Sequence, residues 1–331
     1  MSAMETNKVN NAQDDKDGTV AKSVPMTIAV SANVLFNMME QKDSVIKPGV
    51  AFPFVKALVT VNAHLRELYP ESEELFDIVL ITDNHTQEEY LRDCLNKLGL
   101  SHISIHEEEY ISKLHTKILY LTEDPEKAEN AINNGHAAAI MFPNNKEDQW
   151  SDDGEAGGPS IARALALTQA LAQLRVAFDG DGILFSDESE IVFKKEGFEA
   201  FMKNEKDKED TPLREGPLKS FLEALGNVER KFRAKGKKCP VLTYLVTSRN
   251  PVIPGTRALK TLQTWDLEIT QAFFLSGRPK GPPLKMIRPH IFFDDQKPHI
   301  DEACELGIIS AHVPYGIGYE TYKGAAKKPM L

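Results

Sequence analysis

Short apolar runs alternate with amphipathic segments along most of this chain, and no other feature restricts its fold as much. Segments 27–30, 76–82, 102–105, 118–121 and 137–142 read as strands. Between them, residues 53–69 carry Phe54, Leu58, Val61 and Leu65 at three- and four-residue spacing, which predicts a helix with one apolar face. Residues 88–98 and 124–134 read as helices too, the second with Asp124 as cap. The pattern then repeats: a strand from 175 that turns at Asp179 and resumes at 183–185, a helix over 217–234, and a strand over 241–247. A helix over 255–265, a strand over 272–275, a Pro/Gly turn and a strand over 291–293 come next, before a helix over 299–306 and a strand over 308–313. Strands separated by helices form parallel sheets covered on both faces, so the expected fold class is α/β.

A chain of 331 residues is longer than one core usually supports, about 250–300 residues. The expected divisions are a polar tail (1–24), a first α/β half (25–143), an acidic linker and helix (144–173), a second half (174–318) and a short tail (319–331). Within the second half, residues 187–215 form a Lys/Glu-rich insert carrying Phe198 and Phe201, suited to a small helical flap over the sheet edge. The net charge of −10 argues against nucleic acid or an anionic membrane as partner. No apolar run reaches the roughly 20 residues of a membrane span, and the first 24 residues have no signal-peptide core. Cys94, Cys239 and Cys304 are odd in number and widely spaced, which points to a reducing compartment and a cytoplasmic location.

Four strand ends in the second half carry polar groups. Asp179 and Asp181 follow the first, Thr247-Ser248-Arg249 the second, Lys280 the third, and Asp294-Asp295 the fourth. In open α/β sheets, ligands bind beyond these carboxyl ends. The set suits phosphoryl transfer. Asp179 can act as nucleophile and Asp181 as general acid and base. Thr247 and Lys280 can hold phosphoryl oxygens. The carboxylates of Asp294, Asp295 and Asp179, with the Asp181 position, make an oxygen-rich site that suits Mg²⁺. Ser248 and Arg249 are placed to meet the substrate, and Asn84 and His85 are candidates from the first half.

The stretches Phe178-Asp-Gly-Asp-Gly-Ile-Leu-Phe-Ser-Asp-Glu-Ser-Glu190, Tyr244-Leu-Val-Thr-Ser-Arg-Asn250 and Gly277-Arg-Pro-Lys280 through Ile291-Phe-Phe-Asp-Asp295 resemble the haloacid-dehalogenase-type phosphohydrolases. More narrowly, residues 26–318 resemble the cytosolic 5′-nucleotidase I family. The resemblance implies a Rossmann-like sheet with a helical cap and a Mg²⁺-dependent hydrolase. Its substrate would be a nucleoside 5′-monophosphate, AMP foremost, cleaved through an aspartyl-phosphate on Asp179. A nucleotide effector and a homo-oligomer are compatible with it. The alternatives are a phosphatase for another small phosphomonoester and a catalytically silent nucleotide-binding protein. Gly182 departs from the family, where a slightly larger residue is expected.

The two halves also read as one text written twice. Ile28–Phe36 parallels Val176–Phe185, with Ser31 and Asn33 in place of Asp179 and Asp181. Residues 53–58 parallel 219–225, and 78–84 parallel 243–249. Residues 136–142 are matched to 290–293, which sets Pro143-Asn144 against the aspartate pair. The first half is thus expected to be degenerate, without nucleophile or metal, and to share a cleft with the second through Asn84 and His85.

Overall fold

The computed structural model describes residues 26–37, 47–70, 76–83, 87–114, 116–142 and 173–326. The expected tail (1–24), nearly all of the linker and its helix, and the Asn84–His85 contact lie outside the described residues. In the first half the order is β1 (Met26–Ser31), α1 (Ala32–Leu35), α2 (Phe52–Leu68), β2 (Phe76–Thr82), α3 (Glu88–Lys97), β3 (Ser104–Glu107), α4 (Glu109–Lys113), β4 (Ile118–Thr122), α5 (Pro125–Asn133) and β5 (Ala137–Met141). The second half runs β6 (Leu174–Phe178), α6 (Glu188–Glu196), α7 (Phe198–Asp207), α8 (Lys219–Ala234), β7 (Val241–Thr247) and α9 (Pro254–Thr264). It continues through β8 (Gln271–Phe274), α10 (Gly281–Ile287), β9 (Ile291–Asp294), α11 (Lys297–Glu305), β10 (Ser310–His312) and α12 (Gly316–Ala326).

Local chemistry explains the element ends. Asp124 caps α5 by accepting hydrogen bonds from the Glu126 and Lys127 amides, as expected. Gly197, at φ 87°, divides the polar insert into two helices. Residues 183–185 do not resume a strand. The amides of Ile183, Leu184 and Phe185 all turn back to the Gly180 carbonyl, and Gly182 sits at φ 76°. The expected Pro/Gly turn holds a helix, α10, because Pro282 and Pro283 fall in its first turn, where proline lacks only a donor that the helix would leave unused. Residues 316–326, expected partly as tail, form α12, whose Tyr319 is buried and donates to Glu129 of α5.

Among the described residues ten strands form one sheet, in the order β3-β2-β1-β4-β5-β10-β9-β6-β7-β8. Every pairing is parallel except β5 with β10, so the sheet is mixed rather than purely parallel. Numbered from its own first strand, each half has the order 3-2-1-4-5, and the halves meet through their fifth strands. The helices obey the same rule. Residues of α2, α3, α8 and α9 share one continuous core on one face. On the other face α4 and α5 join one cluster, and α10 and α11 another.

The register is repeated down to single hydrogen bonds. Gly49 N–H donates to the Leu35 carbonyl and Ala51 N–H to Val34; Gly216 donates to Leu184 and Leu218 to Ile183 in the same way. A Cβ on either glycine would lie 2.4 Å from a carbonyl oxygen, so both positions need glycine. One expected correspondence changes. β9 lies beside β6 as β4 lies beside β1, so Thr122-Glu123, not Pro143-Asn144, stands opposite the aspartate pair.

The antiparallel join has a direct functional consequence. The carboxyl ends of β1, β2 and β4 face the opposite sheet edge from those of β6, β7 and β9. The expected shared cleft between the strand end at Asp83 and Asp179 is therefore absent. No helix among the described residues is long and apolar enough to cross a membrane.

Candidate active site

Four neighbouring parallel strands end on the same edge, and their last residues gather the polar groups that the sequence singles out. Asp179 follows β6 and is tied to β9 by its amide, which donates to the Phe293 carbonyl at 2.9 Å. Its Oδ1 accepts the Gly180 amide at 2.7 Å, and its Oδ2 meets Lys280 Nζ at 2.8 Å. The same ammonium reaches Asp294 Oδ2 at 2.6 Å. Lys280 stands at the start of α10 and is 1 % exposed, so its charge is balanced within the protein rather than by water. Burial disfavours the ammonium, but Asp179 and Asp294 together raise its pKa.

The two aspartates on Lys280 are pushed in opposite directions. Burial pushes Asp179 up to about 6, against the pull of Lys280. Asp294 is equally buried, yet Lys280 and His299 hold it down at about 2. Asp294 Oδ1 also accepts the Gln296 amide at 2.8 Å, and His299 Nδ1 lies 3.1 Å from both of its oxygens. Asp294 is thereby saturated.

Asp295 is the reverse case. It is fully buried, and neither carboxylate oxygen has a partner. Burial raises its pKa well above the usual range, and Glu190, Asp294 and Asp179 raise it further. Gly182 and Gly318 press against it: a Cβ on Gly182 would lie 2.6 Å from its Cγ. Glycine at position 182 thus leaves room for this carboxylate. Glu190 of α6 is buried nearby, with Oε1 accepting Gln296 Nε2 at 3.0 Å and Oε2 unpartnered. Glu190 Oε1 also meets Lys194 Nζ at 2.8 Å, so the donor-free oxygens are those of Asp295 and Glu190 Oε2. Buried carboxylate oxygens without donors suit a hard divalent cation. Asp179, Asp294 and His299 also bring ligand atoms within 4.8 Å of one another, but the Lys280 ammonium already fills that group. The geometry therefore favours Asp295 over Asp294 as a cation ligand.

Thr247 ends β7, 2 % exposed, and its hydroxyl oxygen would lie 3.2 Å from a Cβ on Gly180, which places it over the Asp179 loop. Ser248 is exposed at the same edge. Arg249, expected to meet the substrate, is 3 % exposed and engaged elsewhere: it forms a two-pronged contact with Asp181 and a third bond to Glu205. Glu205, Glu190 and Arg257 were missed in the sequence. Glu205 lies in the run Lys203-Asn-Glu-Lys-Asp207, which reads as a solvated helix face, and nothing local marks one of its charges as buried.

Fold and site together define an α/β protein whose parallel strand ends converge buried carboxylates on one lysine. A family model described as 5′-nucleotidase matches residues 37–320. Human cytosolic 5′-nucleotidase 1B is 42 % identical over 314 residues, covering 87 % of this chain and 48 % of that protein. The chain belongs to the 5′-nucleotidase family. The chain spans about half the length of that human relative. No solved structure matches.

Proposed function

We propose that this chain hydrolyses nucleoside 5′-monophosphates, AMP foremost, to nucleoside and phosphate. One observation carries the proposal: Lys280 sits between Asp179 and Asp294 at the carboxyl edge of a parallel sheet, in a chain of the 5′-nucleotidase family. A carboxylate there can attack phosphorus in line with the ester oxygen. The new bond joins an Asp179 oxygen to phosphorus as the phosphorus–O5′ bond breaks, and Asp181 gives its proton to the leaving oxygen. Water then attacks the aspartyl-phosphate, Asp181 takes its proton, and phosphate leaves. Thr247 and Lys280 donate to the phosphoryl oxygens, where transition-state charge collects.

Asp179, Asp295 and the Asp181 backbone carbonyl would hold Mg²⁺, with Glu190 beside them. The unpartnered oxygens of Asp295 support this assignment. The ion would offset the repulsion between an anionic nucleophile and an anionic phosphate. A cytoplasmic location accords with Cys94, Cys239 and Cys304 forming no disulfide among the described residues.

The first half supplies no chemistry in this scheme. At its corresponding strand ends, Ser31 donates to Glu123 at 2.7 Å and Asn33 Nδ2 donates to the same carboxylate at 2.5 Å. Glu123 is thus occupied, and no nucleophilic carboxylate stands at the Ser31 position. We take residues 26–142 as a degenerate copy kept for packing.

Release of phosphate from AMP, from other phosphomonoesters and from AMP with EDTA tests the function. The expected result is release from AMP that EDTA abolishes. Turnover of non-nucleotide esters alone would overturn it.

A further inference from the structure

Asp181 is held by a chain of charges that begins in the polar insert and whose middle members, Arg249, Glu205 and Arg257, are buried. Arg249 grips it with two parallel hydrogen bonds, Nε–H to Oδ2 at 2.7 Å and Nη2–H to Oδ1 at 2.6 Å. The remaining nitrogen, Nη1, donates to Glu205 Oε2 at 2.6 Å and to the Pro254 carbonyl at 3.0 Å. Glu205 belongs to α7 and is 0 % exposed. It also accepts from Arg257 Nη1 at 2.8 Å, the Ser189 hydroxyl at 2.7 Å and Asn204 Nδ2 at 3.2 Å. Arg257 continues to Glu188 at 2.8 Å and to the Thr211 carbonyl at 2.9 Å.

Five charges of alternating sign therefore run from Asp181 through Arg249, Glu205 and Arg257 to Glu188. Such a network is seldom the most stable filling for a core, since apolar residues of equal volume would avoid the desolvation cost. It does fix geometry. A guanidinium fork meeting both oxygens of a carboxylate sets its plane and direction, which a lysine cannot do. Arg249 is itself fixed by Glu205, and Glu205 is anchored from both helices of the insert.

We propose that Arg249 and Glu205 are positioning residues for Asp181, so that the insert sets the proton-transfer geometry instead of merely covering the sheet edge. This rests on the role given above to Asp181 as acid and base. Proton transfer tolerates little misplacement: an error of about 1 Å can cost about 100-fold in rate. Arg249, with so little exposed surface and its donors on internal acceptors, is not a nucleotide contact.

The test uses the full chain with AMP and Mg²⁺, comparing wild type with Glu205→Gln, Arg249→Lys and Ser189→Ala. For the first two, kcat should fall about 10- to 100-fold with KM nearly unchanged. Lysine at 249 should not rescue, although it keeps the charge. Ser189→Ala exposes no buried charge and serves if the others fail to fold; a smaller fall in kcat, again without a change in KM, is expected. The slowed variants should also accumulate phosphate on Asp179, as Asp181→Asn would, because water then lacks a placed base. A rise in KM at constant kcat, or wild-type kinetics in folded variants, would overturn the proposal. Wild type that releases no phosphate from AMP would instead overturn the function itself.

Discussion

Phe54 and Phe221 pack edge to face, with ring centroids 6.2 Å apart and planes at 81°. They occupy equivalent places in the two halves, Phe54 in the first turn of α2 and Phe221 in the first turn of α8. Contact between two equivalent residues puts them on the pseudo-twofold axis that relates the halves. The antiparallel β5–β10 pair lies on the same axis. The first half is therefore fastened to the second at its core, beside β6, which leads into Asp179.

Truncating either ring should loosen that junction. Phe54→Ala and Phe221→Ala should each cost about 3–5 kcal/mol in denaturant unfolding. The double variant should cost less than the sum by roughly 0.5–1.5 kcal/mol, since each single change already removes the ring contact. Strict additivity would show that the rings do not interact.

The first half should stay silent even when its missing carboxylates are restored. In an Asp179→Asn chain, Ser31→Asp with Asn33→Asp should regain no phosphate release from AMP. The new carboxylates would crowd Glu123, which now accepts from both side chains, so the melting temperature should drop. Recovered turnover would show the copy to be latent rather than degenerate.

Asp179→Asn alone should abolish turnover while the chain stays folded, because an amide of equal size cannot attack phosphorus. Asp181→Asn should leave slow turnover with phosphate trapped on Asp179. Mass spectrometry of the quenched enzyme reads the adduct, and its absence during turnover would rule out the covalent route.

Asp294 and Asp295 should separate cleanly in cation response. Asp295→Asn removes a buried carboxylate that has no partner, so the cation-free protein should melt at a higher temperature. The stabilisation that Mg²⁺ gives wild type should largely disappear. Asp294→Asn should instead destabilise, since it leaves Lys280 with one carboxylate. A Mg²⁺ response lost only in the Asp294 variant would reverse the assignment.

His290 should give the fold a pH-dependent component. Its Nδ1 accepts the Arg175 amide at 3.1 Å, which requires a neutral ring. Burial, aided by the Arg175 charge, lowers its pKa from 6.5 to about 4. A base with a lowered folded pKa contributes its stability above the unfolded value and loses it as pH falls from 6.5 to 4. The full effect is at most about 3 kcal/mol. His290→Gln should flatten the plot of unfolding free energy against pH across that window; an unchanged slope would place the titration elsewhere.

The sequence by itself determined most of the strands, most of the helices and which polar residues gather at one set of strand ends. Those features are local. An apolar run such as Phe76–Thr82 is a buried strand whichever neighbour it takes, and Asp179, Thr247, Lys280 and Asp294 reach one edge because parallel strands put all their carboxyl ends together. The repeat of the first half in the second was legible for the same reason. Tertiary structure decided how the halves join. Each buries the same apolar pattern whether its fifth strand meets a parallel or an antiparallel partner, so nothing local in Ala137–Met141 or Ser310–His312 announces the reversal that separates the two sets of strand ends. It also decided which charges matter. Asp294 and Asp295 are adjacent and identical in sequence, yet neighbouring residues in a chain point to different surroundings, and only packing gives one Lys280 and leaves the other bare. Glu205 reads as one of several solvated charges on a polar helix, and becomes the buried support of Asp181 only because α7 folds down onto Arg249 and Arg257.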